Sequence, residues 1–381
     1  MNVRNILHKG VLLLTAAVTL SSCSMMTEDL SGCPTGLYVN FVYDYNIQRA
    51  DMFKDHVGGL TLYVFDESDN IAAQRTVSGS ELSRYGYNIH FTESELAPGH
   101  QYRLCAIAMQ KDWGQASSAT GYIPSISNNR TSLKVSLAHQ KGTTTYGRVS
   151  NEAPLDTLWH TLTTLEAEAE NLPAATKYKI ASDGSVRSNG IDAVTVLPGM
   201  PTYATVSLIR DTKHLNISLR EIDTPEQVND EDYDVFIIDA NTDVNYCNEI
   251  ITPGDSVIYQ PYAQWTTTIE GQGAIATDRS AHYDLMFNRL MYNTTTDKNA
   301  VLCIRNNKTG ENIAMLNLPY ILCTGRMAYE IYSYSPQEYL DREYDYRLEL
   351  FLKNGRWAQG SFISVCVDVL SWARRIQYVE L

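Results

Sequence analysis

The sequence predicts an all-β protein made of β-sandwiches, and three observations indicate this fold class. Apolar and polar residues alternate with a period of two in many short segments, for example over residues 37–45 and 60–65. Turn-forming pairs separate these segments, such as Pro98-Gly99, Asp183-Gly184 and Pro198-Gly199. Near the end of the chain, an alternating segment at 346–352 reaches Asn354-Gly355, and a β-prone run follows at 362–370. Asn-Gly between two such segments is a strong hairpin signal.

The predicted strands continue through both halves of the chain. Runs rich in β-branched and aromatic residues predict further strands at 102–109, 132–137, 203–209, 215–219, 235–240, 301–304 and 313–318. Residues 111–131 are rich in Ser, Asn and Gly and indicate a loop. Residues 155–170 stay open between helix and strand, because Leu158, Leu162 and Leu165 have helical spacing whereas the threonines among them oppose a helix.

The N-terminus carries the pattern of a bacterial lipoprotein signal. Arg4 and Lys9 precede a short apolar run, and Leu20-Ser21-Ser22 leads directly to Cys23. This order predicts cleavage of a signal peptide at 1–22 and lipidation of Cys23. The apolar run is too short and too rich in Thr and Ala for a stable membrane-spanning helix. The alternative is an ordinary signal peptide in which the cysteine is incidental.

Length and charge limit the organisation and the classes of function. The chain has 381 residues and a formal net charge of −14, and this acidic balance opposes binding to nucleic acid. Behind the signal peptide, we predict a lipidated tether at 23–36, an N-terminal β-sandwich domain at 37–198 and a C-terminal β-sandwich domain at 199–381.

Six further cysteines follow the predicted lipidation site: Cys33, Cys105, Cys247, Cys303, Cys323 and Cys366. No two of them form a CxxC pair, so neither a zinc ribbon nor a thioredoxin-type site is predicted. An exported protein is able to form disulfides, and six cysteines allow fifteen pairings among which the sequence does not choose. The simplest interpretation of most of them is a small buried apolar side chain.

The sequence contains no complete catalytic or cofactor motif. Its eight histidines form no HExxH pattern, and neither GxSxG nor a phosphate-binding loop occurs. The best metal-like run is Asp239, Asn241, Asp243 and Asn245, whose alternating oxygen ligands suit Ca²⁺. Val244 stands where such a loop needs glycine, so a solvated loop is the stronger interpretation. We therefore predict no enzyme activity, no cofactor and no metal site.

Tyrosine is abundant, with 25 residues. Many of these alternate within predicted strands, where packing is their ordinary role. A local cluster of Tyr329, Tyr332, Tyr334 and Tyr339 precedes Asp341 and indicates a candidate interface. Paired carboxylates for glycoside hydrolysis need no local motif, so that chemistry stays open at the level of sequence.

Several segments together point to a known family. They are the lipobox at 20–23, then 30–37, 41–46, 51–53, 62–66, Pro98-Gly99 with Tyr102, 206–210, 339–346 and the terminal strand through Trp372. In this order the sequence resembles the FimB/Mfa2-like fimbrial anchor and accessory subunits of Bacteroidales. Residues 206–210 resemble the strand that opens the C-terminal domain of that family. The resemblance covers both halves of the chain.

The resemblance implies two tandem transthyretin-like β-sandwich domains. It also implies a surface-exposed lipoprotein of the cell outer membrane that anchors a fimbria or forms its minor subunit. Its partners would be fimbrial stalk subunits, joined by β-strand exchange, because an open sheet edge offers unpaired backbone groups that a partner's strand completes. Glu28 and Asp29 close behind the lipid agree with surface exposure. The alternatives are a surface glycan-binding lipoprotein that uses exposed tyrosines and, more weakly, a tethered hydrolase.

The sequence also suggests where a partner docks. A hairpin at Asn354-Gly355 would hold the run at 362–370 inside the C-terminal sandwich, which leaves 374–381 as the segment most free to reach a neighbour. We expect strand pairing with the first stalk subunit through this C-terminal domain.

Overall fold

The computed structural model describes residues 34–84, 86–111, 121–141, 145–162, 186–188, 193–252, 254–272, 277–326, 334–356, 362–369 and 372–379. Within these ranges the chain is all-β, as predicted, with short helices at a few turns. The signal peptide, Cys23 and the tether up to residue 33 lie outside the described residues.

The strands cover both halves of the chain. Those of the first half are β1 (Gly36–Val42), β2 (Gly59–Phe65), β3 (Ile71–Ser78), β4 (Asn88–Phe91), β5 (Gln101–Met109), β6 (Tyr122–Ser125), β7 (Lys134–Leu137), β8 (Gly147–Arg148), β9 (Leu158–Thr161), β10 (Val186–Ser188), β11 (Val194–Thr195) and β12 (Pro201–Arg210). Those of the second half are β13 (Lys213–Glu221), β14 (Tyr233–Asp239), β15 (Asp243–Asn245), β16 (Val257–Tyr259), β17 (Ala263–Ile269), β18 (Asp278–Phe287), β19 (Val301–Asn306), β20 (Asn312–Asn317), β21 (Asp345–Leu352), β22 (Phe362–Val369) and β23 (Trp372–Val379).

Short helices lie between some of the described strands. The α-helices are α1 (Phe53–His56), α2 (Gly79–Arg84), α3 (Leu318–Leu322) and α4 (Pro336–Arg342). Single 3-10 turns occur at Arg130–Ser132, Pro225–Gln227, Asp230–Asp232 and Thr296–Lys298. In the part of the chain that the structure describes, no helix is both long and apolar enough to cross a membrane.

The described strands form four sheets. The first has nine strands, in the order β3-β2-β5-β9-β12-β1-β4, with β10 beside β12 and β11 beside β5. The second has six strands, β17-β18-β13-β21-β22-β23. A five-stranded sheet follows the order β20-β19-β14-β16-β8, and a three-stranded sheet the order β15-β7-β6.

The first sheet is covered on both faces, which explains the nearly continuous apolar sequence of β2. All seven residues of β2 are buried. Leu60 and Leu62 face one hydrophobic cluster, formed within the first half. Tyr63 and Phe65 face a second cluster that continues into the second half. Period-two alternation with apolar residues at both positions therefore marks a strand between two cores.

The C-terminal hairpin forms as predicted. Asn354 and Gly355 both have positive φ, 51° and 66°, the backbone that a two-residue hairpin turn requires. The strands β21 and β22 pair in antiparallel fashion, with Leu350 opposite Ile363. The expectation of a free tail at 374–381 is wrong, because Trp372–Val379 forms β23 and pairs with β22 over its whole length.

The two halves interlock rather than follow one another as separate units. The three-stranded sheet pairs β7 of the first half with β15 of the second, and the five-stranded sheet takes β8 from the first half. One hydrophobic cluster contains Tyr63 and Ile107 together with Ile217 and Leu348. Moving one half against the other would therefore expose core.

The change from the first sheet to the second falls between Arg210 and Lys213. The strand β12 pairs in parallel with β1 and in antiparallel with β9, both of the first sheet. The segment at 206–210 therefore lies in the strand of the first sheet that comes last in chain order. The domain division at residue 198 itself stays a prediction. Of the segment left open at 155–170, residues 158–161 are strand β9, and 163–170 lie outside the described residues.

Candidate functional site

Most residues singled out from the sequence have structural roles or lie outside the described ranges. Cys23 belongs to the undescribed N-terminus, as do Tyr329 and Tyr332 to an undescribed internal segment. Tyr339 is buried, and the Tyr334 hydroxyl accepts a hydrogen bond from Arg49 Nε at 3.0 Å. The predicted tyrosine cluster therefore provides packing at its described members, and not an exposed patch.

The side chains of the metal-like run at 239–245 hydrogen-bond to separate groups of the protein. Asn241 Oδ1 accepts a hydrogen bond from the Tyr259 hydroxyl at 2.6 Å, and its amide nitrogen donates to two backbone carbonyls. Asp243 accepts from Ser136 and pairs with Lys134 at 3.2 Å. Asn245 closes a tight turn by accepting two backbone N–H groups. Among the described residues, no three His, Cys, Asp or Glu side chains are grouped for a metal ion.

The described cysteines are structural thiols. No disulfide joins any two of Cys105, Cys247, Cys303 and Cys323. Burial raises the pKa of Cys105 to about 12 and that of Cys303 to about 11, so both stay protonated and unreactive at neutral pH. Cys33 and the side chain of Cys366 lie outside the described residues.

The strand β17 is an open sheet edge. It pairs with β18 along one side, from Ala263 opposite Asp284 to Ile269 opposite Asp278, without a register shift. Along its other side, no described residue hydrogen-bonds to its backbone. Its side chains are exposed on both faces, with Trp265 at 39 % and Ile269 at 68 %.

The sequence of β17 lacks the devices that usually protect an edge. Ala263–Ile269 reads AQWTTTI, with no charge, no proline and no bulge. Proteins commonly prevent unwanted pairing at edges with charged residues, proline, bulges or very short strands. A seven-residue uncharged edge is therefore either an aggregation hazard or a site kept open for a partner strand.

Each of the other described edges has such a device. The edge strand β3 contains Arg75 and faces a register irregularity, and β20 also has one. The strand β6 contains Pro124, and β23 has Arg374 and Arg375 in its sequence. The strands β4, β8, β10, β11 and β15 have four residues or fewer. Only β17, among the described edge strands, is long, uncharged and regular at once.

One face of β17 continues into a polar surface. The Trp265 ring stacks on His282, with ring centroids 5.2 Å apart. His282 Nδ1 lies 2.8 Å from the Ser218 hydroxyl, and its Nε2 lies 2.8 Å from the Thr267 hydroxyl. These contacts hold the indole against the sheet, so that the edge is presented in a fixed conformation.

A buried ionic cluster lies beside the connection from β12 to β13, at Asp211 and Thr212. Arg289 and Asp341 are 3 % and 1 % exposed and form a bidentate pair with N···O distances of 2.8 and 2.7 Å. Burial by itself lowers the pKa of Arg289, but the charge and hydrogen bonds of Asp341 together with the Asp211 charge outweigh this, and the net shift is upward. Arg289 also donates to the Asn248 carbonyl, and Asn248 donates to Asp211 at 2.7 Å.

Lys213 lies in the same cluster, directly after the connection from β12. Its side chain is fully buried and donates to the backbone carbonyls of Asp341 and Glu343 at 3.0 and 2.9 Å. Burial lowers the pKa of Lys213 to about 7 and raises that of Asp211 to about 6. The ammonium therefore fixes the end of α4 to the start of β13 at the cost of desolvation.

The helix α4 carries this cluster to the first half. Ser335 caps its N-terminus, accepting the Glu338 N–H at 3.1 Å, with Pro336 at the first helical position. Arg342 pairs with Glu338 at 2.9 Å and lies 3.9 Å above the Tyr45 ring of the first half. The sequence analysis missed this helix, although Ser335-Pro336-Gln337-Glu338 is a capping-box pattern.

These features define a class of protein: an all-β, multi-sheet protein with two interlocked halves, one unprotected strand edge and no metal or reactive-thiol cluster among its described residues. The family model for fimbrillin-A associated anchor proteins Mfa1 and Mfa2 matches residues 30–181 and 189–378. The chain belongs to this family, which is a family of fimbrial accessory proteins of the cell surface.

Solved structures share the fold over nearly the whole chain. A candidate adhesin from Bacteroides thetaiotaomicron is 23 % identical with a TM-score of 0.68, covering 91 % of this chain and 100 % of that one. A candidate polysaccharide-binding protein from the same species is 24 % identical with a TM-score of 0.63, covering 90 % and 99 %. The fimbrial anchor protein Mfa2 from Porphyromonas gingivalis is 14 % identical with a TM-score of 0.52, covering 91 % and 97 %. No curated protein matches the chain.

Proposed function

We propose that this chain is a non-catalytic, surface-exposed lipoprotein of the outer membrane that anchors a fimbria or forms its minor subunit. Acyl chains on Cys23 would attach it to the membrane, and a strand of a stalk subunit would pair with β17. The observation that carries the proposal is the unguarded edge at β17 in a chain whose two halves both match a fimbrial anchor family.

Pairing at β17 would supply much of the energy for specific assembly. Three or four of its seven residues direct both an N–H and a C=O outward, so a partner strand forms about six to eight backbone hydrogen bonds, each contributing about 0.5–1.5 kcal/mol. Contacts to the exposed Ile269 and Trp265 side chains would add burial of apolar area. This places the docking surface at the edge of the six-stranded sheet opposite β23, whose own sequence carries Arg374 and Arg375.

A pair of lysine substitutions tests the edge. Ile269→Lys places a charge on β17, at a position that is 68 % exposed, and should release fimbriae from cells into the medium. Met315→Lys is the matched control, because Met315 is 61 % exposed on the guarded edge strand β20. Both variants should be lipidated and keep the parent melting temperature. Equal retention of fimbriae by both variants would contradict pairing at β17.

Adjacent proline substitutions test whether the contact uses backbone groups. The N–H groups of Thr267 and Thr268 point to opposite sides of the strand, so one bonds to β18 and the other faces outward. One variant, Thr267→Pro or Thr268→Pro, should therefore lose stability. The other should keep its melting temperature and yet lose fimbriae. If the variant with the parent melting temperature retains its fimbriae, the contact uses side chains and not backbone pairing.

Attachment through Cys23 has its own test. Cys23→Ala should release the protein from the membrane fraction or leave the precursor uncleaved, because no lipid can be added. Protease treatment of intact cells should degrade the parent protein. Normal membrane retention of the variant would refute the anchor, and full protection of the parent would refute surface exposure.

The glycan-binding alternative gains no specific support from the tyrosines. The clearly exposed described ones, Tyr146, Tyr203 and Tyr320, lie beside β8, on β12 and in α3, on separate parts of the fold. They do not form one stacking platform.

A further inference from the structure

A second exposed surface lies at the end of the first sheet at which β1 and β12 begin. Leu197, Met200 and Tyr203 are 41, 53 and 47 % exposed, and they lie close together in sequence at the start of β12. Large apolar side chains in single exposed positions are ordinary, but two on one turn and a third at the start of the strand that follows mark a contact surface.

The turn that presents these side chains is held by hydrogen bonds. Gly199 has a φ of 65° and donates to Glu93 Oε1 at 2.6 Å, and the Leu197 N–H donates to the Thr202 hydroxyl at 2.8 Å. Val196, fully buried, accepts the Gly99 N–H at 2.7 Å. The turn is therefore fixed with its apolar side chains pointing away from the core.

Aromatic rings extend this surface across the sheet. Tyr203 lies opposite Tyr38 of β1, with ring centroids 5.3 Å apart, and Tyr38 stacks on His90 of β4 at 4.1 Å. Tyrosine rings, apolar in body and polar at the hydroxyl, concentrate where a protein meets the interface between lipid and water.

The path of the chain indicates what this surface meets. Gly36 begins β1 directly opposite Pro201, so the segment from Cys23 enters the fold beside the apolar turn. That segment spans about 45 Å at most when extended. At the other end of β12, about 30 Å away along ten residues, Arg210 lies 4.2 Å from the Tyr344 ring of the second half. The apolar turn is thus near the tether, whereas the contact of Arg210 with Tyr344 of the second half lies at the far end of β12.

We propose that Leu197, Met200 and Tyr203 form a membrane-contact surface, which rests on the lipid bilayer and orients the anchor with its second half outward. The proposal rests on the proposed acylation of Cys23. The contact is apolar and not electrostatic, because the group next to the turn is the Glu93 carboxylate. It therefore forms on zwitterionic lipid and is insensitive to salt.

Photocrosslinking of the full, acylated chain tests the contact. Benzoylphenylalanine replaces Met200 in one variant and Met315, of similar exposure but in the second half, in the control. Each is reconstituted into vesicles of phosphatidylcholine and phosphatidylethanolamine, irradiated and analysed by mass spectrometry. Lipid adducts should form at position 200 and not at 315, at both low and high salt. Circular dichroism and the melting temperature establish that both variants are folded.

Three results would overturn the inference. An acylated chain without lipid adducts at position 200 removes the membrane contact while leaving the proposed anchor intact. Crosslinks from position 200 to residues 24–33 or to a second copy identify a protein occupant instead of lipid. If mass spectrometry finds Cys23 unacylated in the cells that make the protein, the anchor and the membrane contact both fail.

Discussion

The buried pair of Arg289 and Asp341 gives the sharpest test of what holds α4 in place beside the connection from β12 to β13. Asp341→Asn keeps the shape of the side chain and removes its charge, which leaves the Arg289 guanidinium buried without a counter-ion. The Asp341 carboxylate also accepts Gln337 Nε2 at 3.1 Å, so the substitution disturbs three hydrogen bonds at once. The substitution changes only the buried region beside the connection from β12 to β13, because both side chains are almost wholly buried there.

Removing one partner of a buried ion pair typically costs about 3–5 kcal/mol. That is a large share of the roughly 5–15 kcal/mol by which folded proteins are stable. At about 2 °C per kcal/mol for a chain of this size, the melting temperature should fall by about 6–10 °C. The exposed pair of Arg356 and Glu311, 70 % and 58 % exposed, supplies the control, and Glu311→Gln should cost at most about 1 kcal/mol.

Urea unfolding of Arg289→Met, Asp341→Asn and the double variant completes the test as a thermodynamic cycle. The double variant should be less destabilised than the sum of the single variants, because it leaves neither charge unpaired; coupling of about 1–3 kcal/mol is expected. Additive costs, or an Asp341→Asn cost below about 1 kcal/mol, would refute the view that this pair holds α4 in place.

Three further outcomes follow from particular residues. Burial raises the pKa of the Glu343 carboxyl to about 7. The contribution of this group to the free energy of unfolding is therefore full below about pH 4.5 and is lost as pH rises towards 7. Glu343→Gln should flatten this decline and stabilise the protein at about pH 7.5, as measured by urea unfolding at several pH values. Gly36 has a φ of 86°, and a Cβ there would lie 2.2 Å from the Phe91 carbonyl oxygen, so Gly36→Ala should lower stability by about 2 kcal/mol or more. EDTA should leave the melting temperature unchanged, since the oxygen ligands of the run at 239–245 bind other protein groups.

The strands were predictable because their signal is local. Alternation identified β1 and β2, runs rich in β-branched and aromatic residues identified β5, β12, β13, β14 and β19, and Asn354-Gly355 identified the hairpin between β21 and β22. Pairing partners were not predictable in the same way. The strand β13 pairs in parallel with β21, which lies far along the chain, and nothing in either segment specifies the other. The free tail was wrongly predicted for the same reason, since only the folded sheet shows that β23 has a neighbour.

The burial of the charged residues at the connection from β12 to β13 could not be predicted from the sequence either. Arg210-Asp211-Thr212-Lys213 reads as an exposed polar turn between two strands, and charged residues are rarely fully buried. Burial of Lys213 depends on carbonyl groups at the end of α4, 128 and 130 residues later in the chain. The α4 capping pattern, by contrast, was readable in advance, and so was the absence of charge over Ala263–Ile269 once its place at an edge is known.

The positions of the β17 edge, the membrane-contact surface and the connection at Asp211 and Thr212 explain why the cluster of Arg289, Asp341 and Lys213 is ionic and buried. Under the proposed function, a pull on a fimbria enters at β17 and leaves through the lipid at the far end of β12. It crosses the contacts between the halves, namely the strand pairs β7–β15 and β8–β16, the shared core and the connection at Asp211 and Thr212. Directly after that connection, the Lys213 side chain donates short, directional hydrogen bonds to the end of α4. Such bonds hold one geometry, whereas apolar contacts alone tolerate sliding, and for an anchor a fixed geometry is the property that matters.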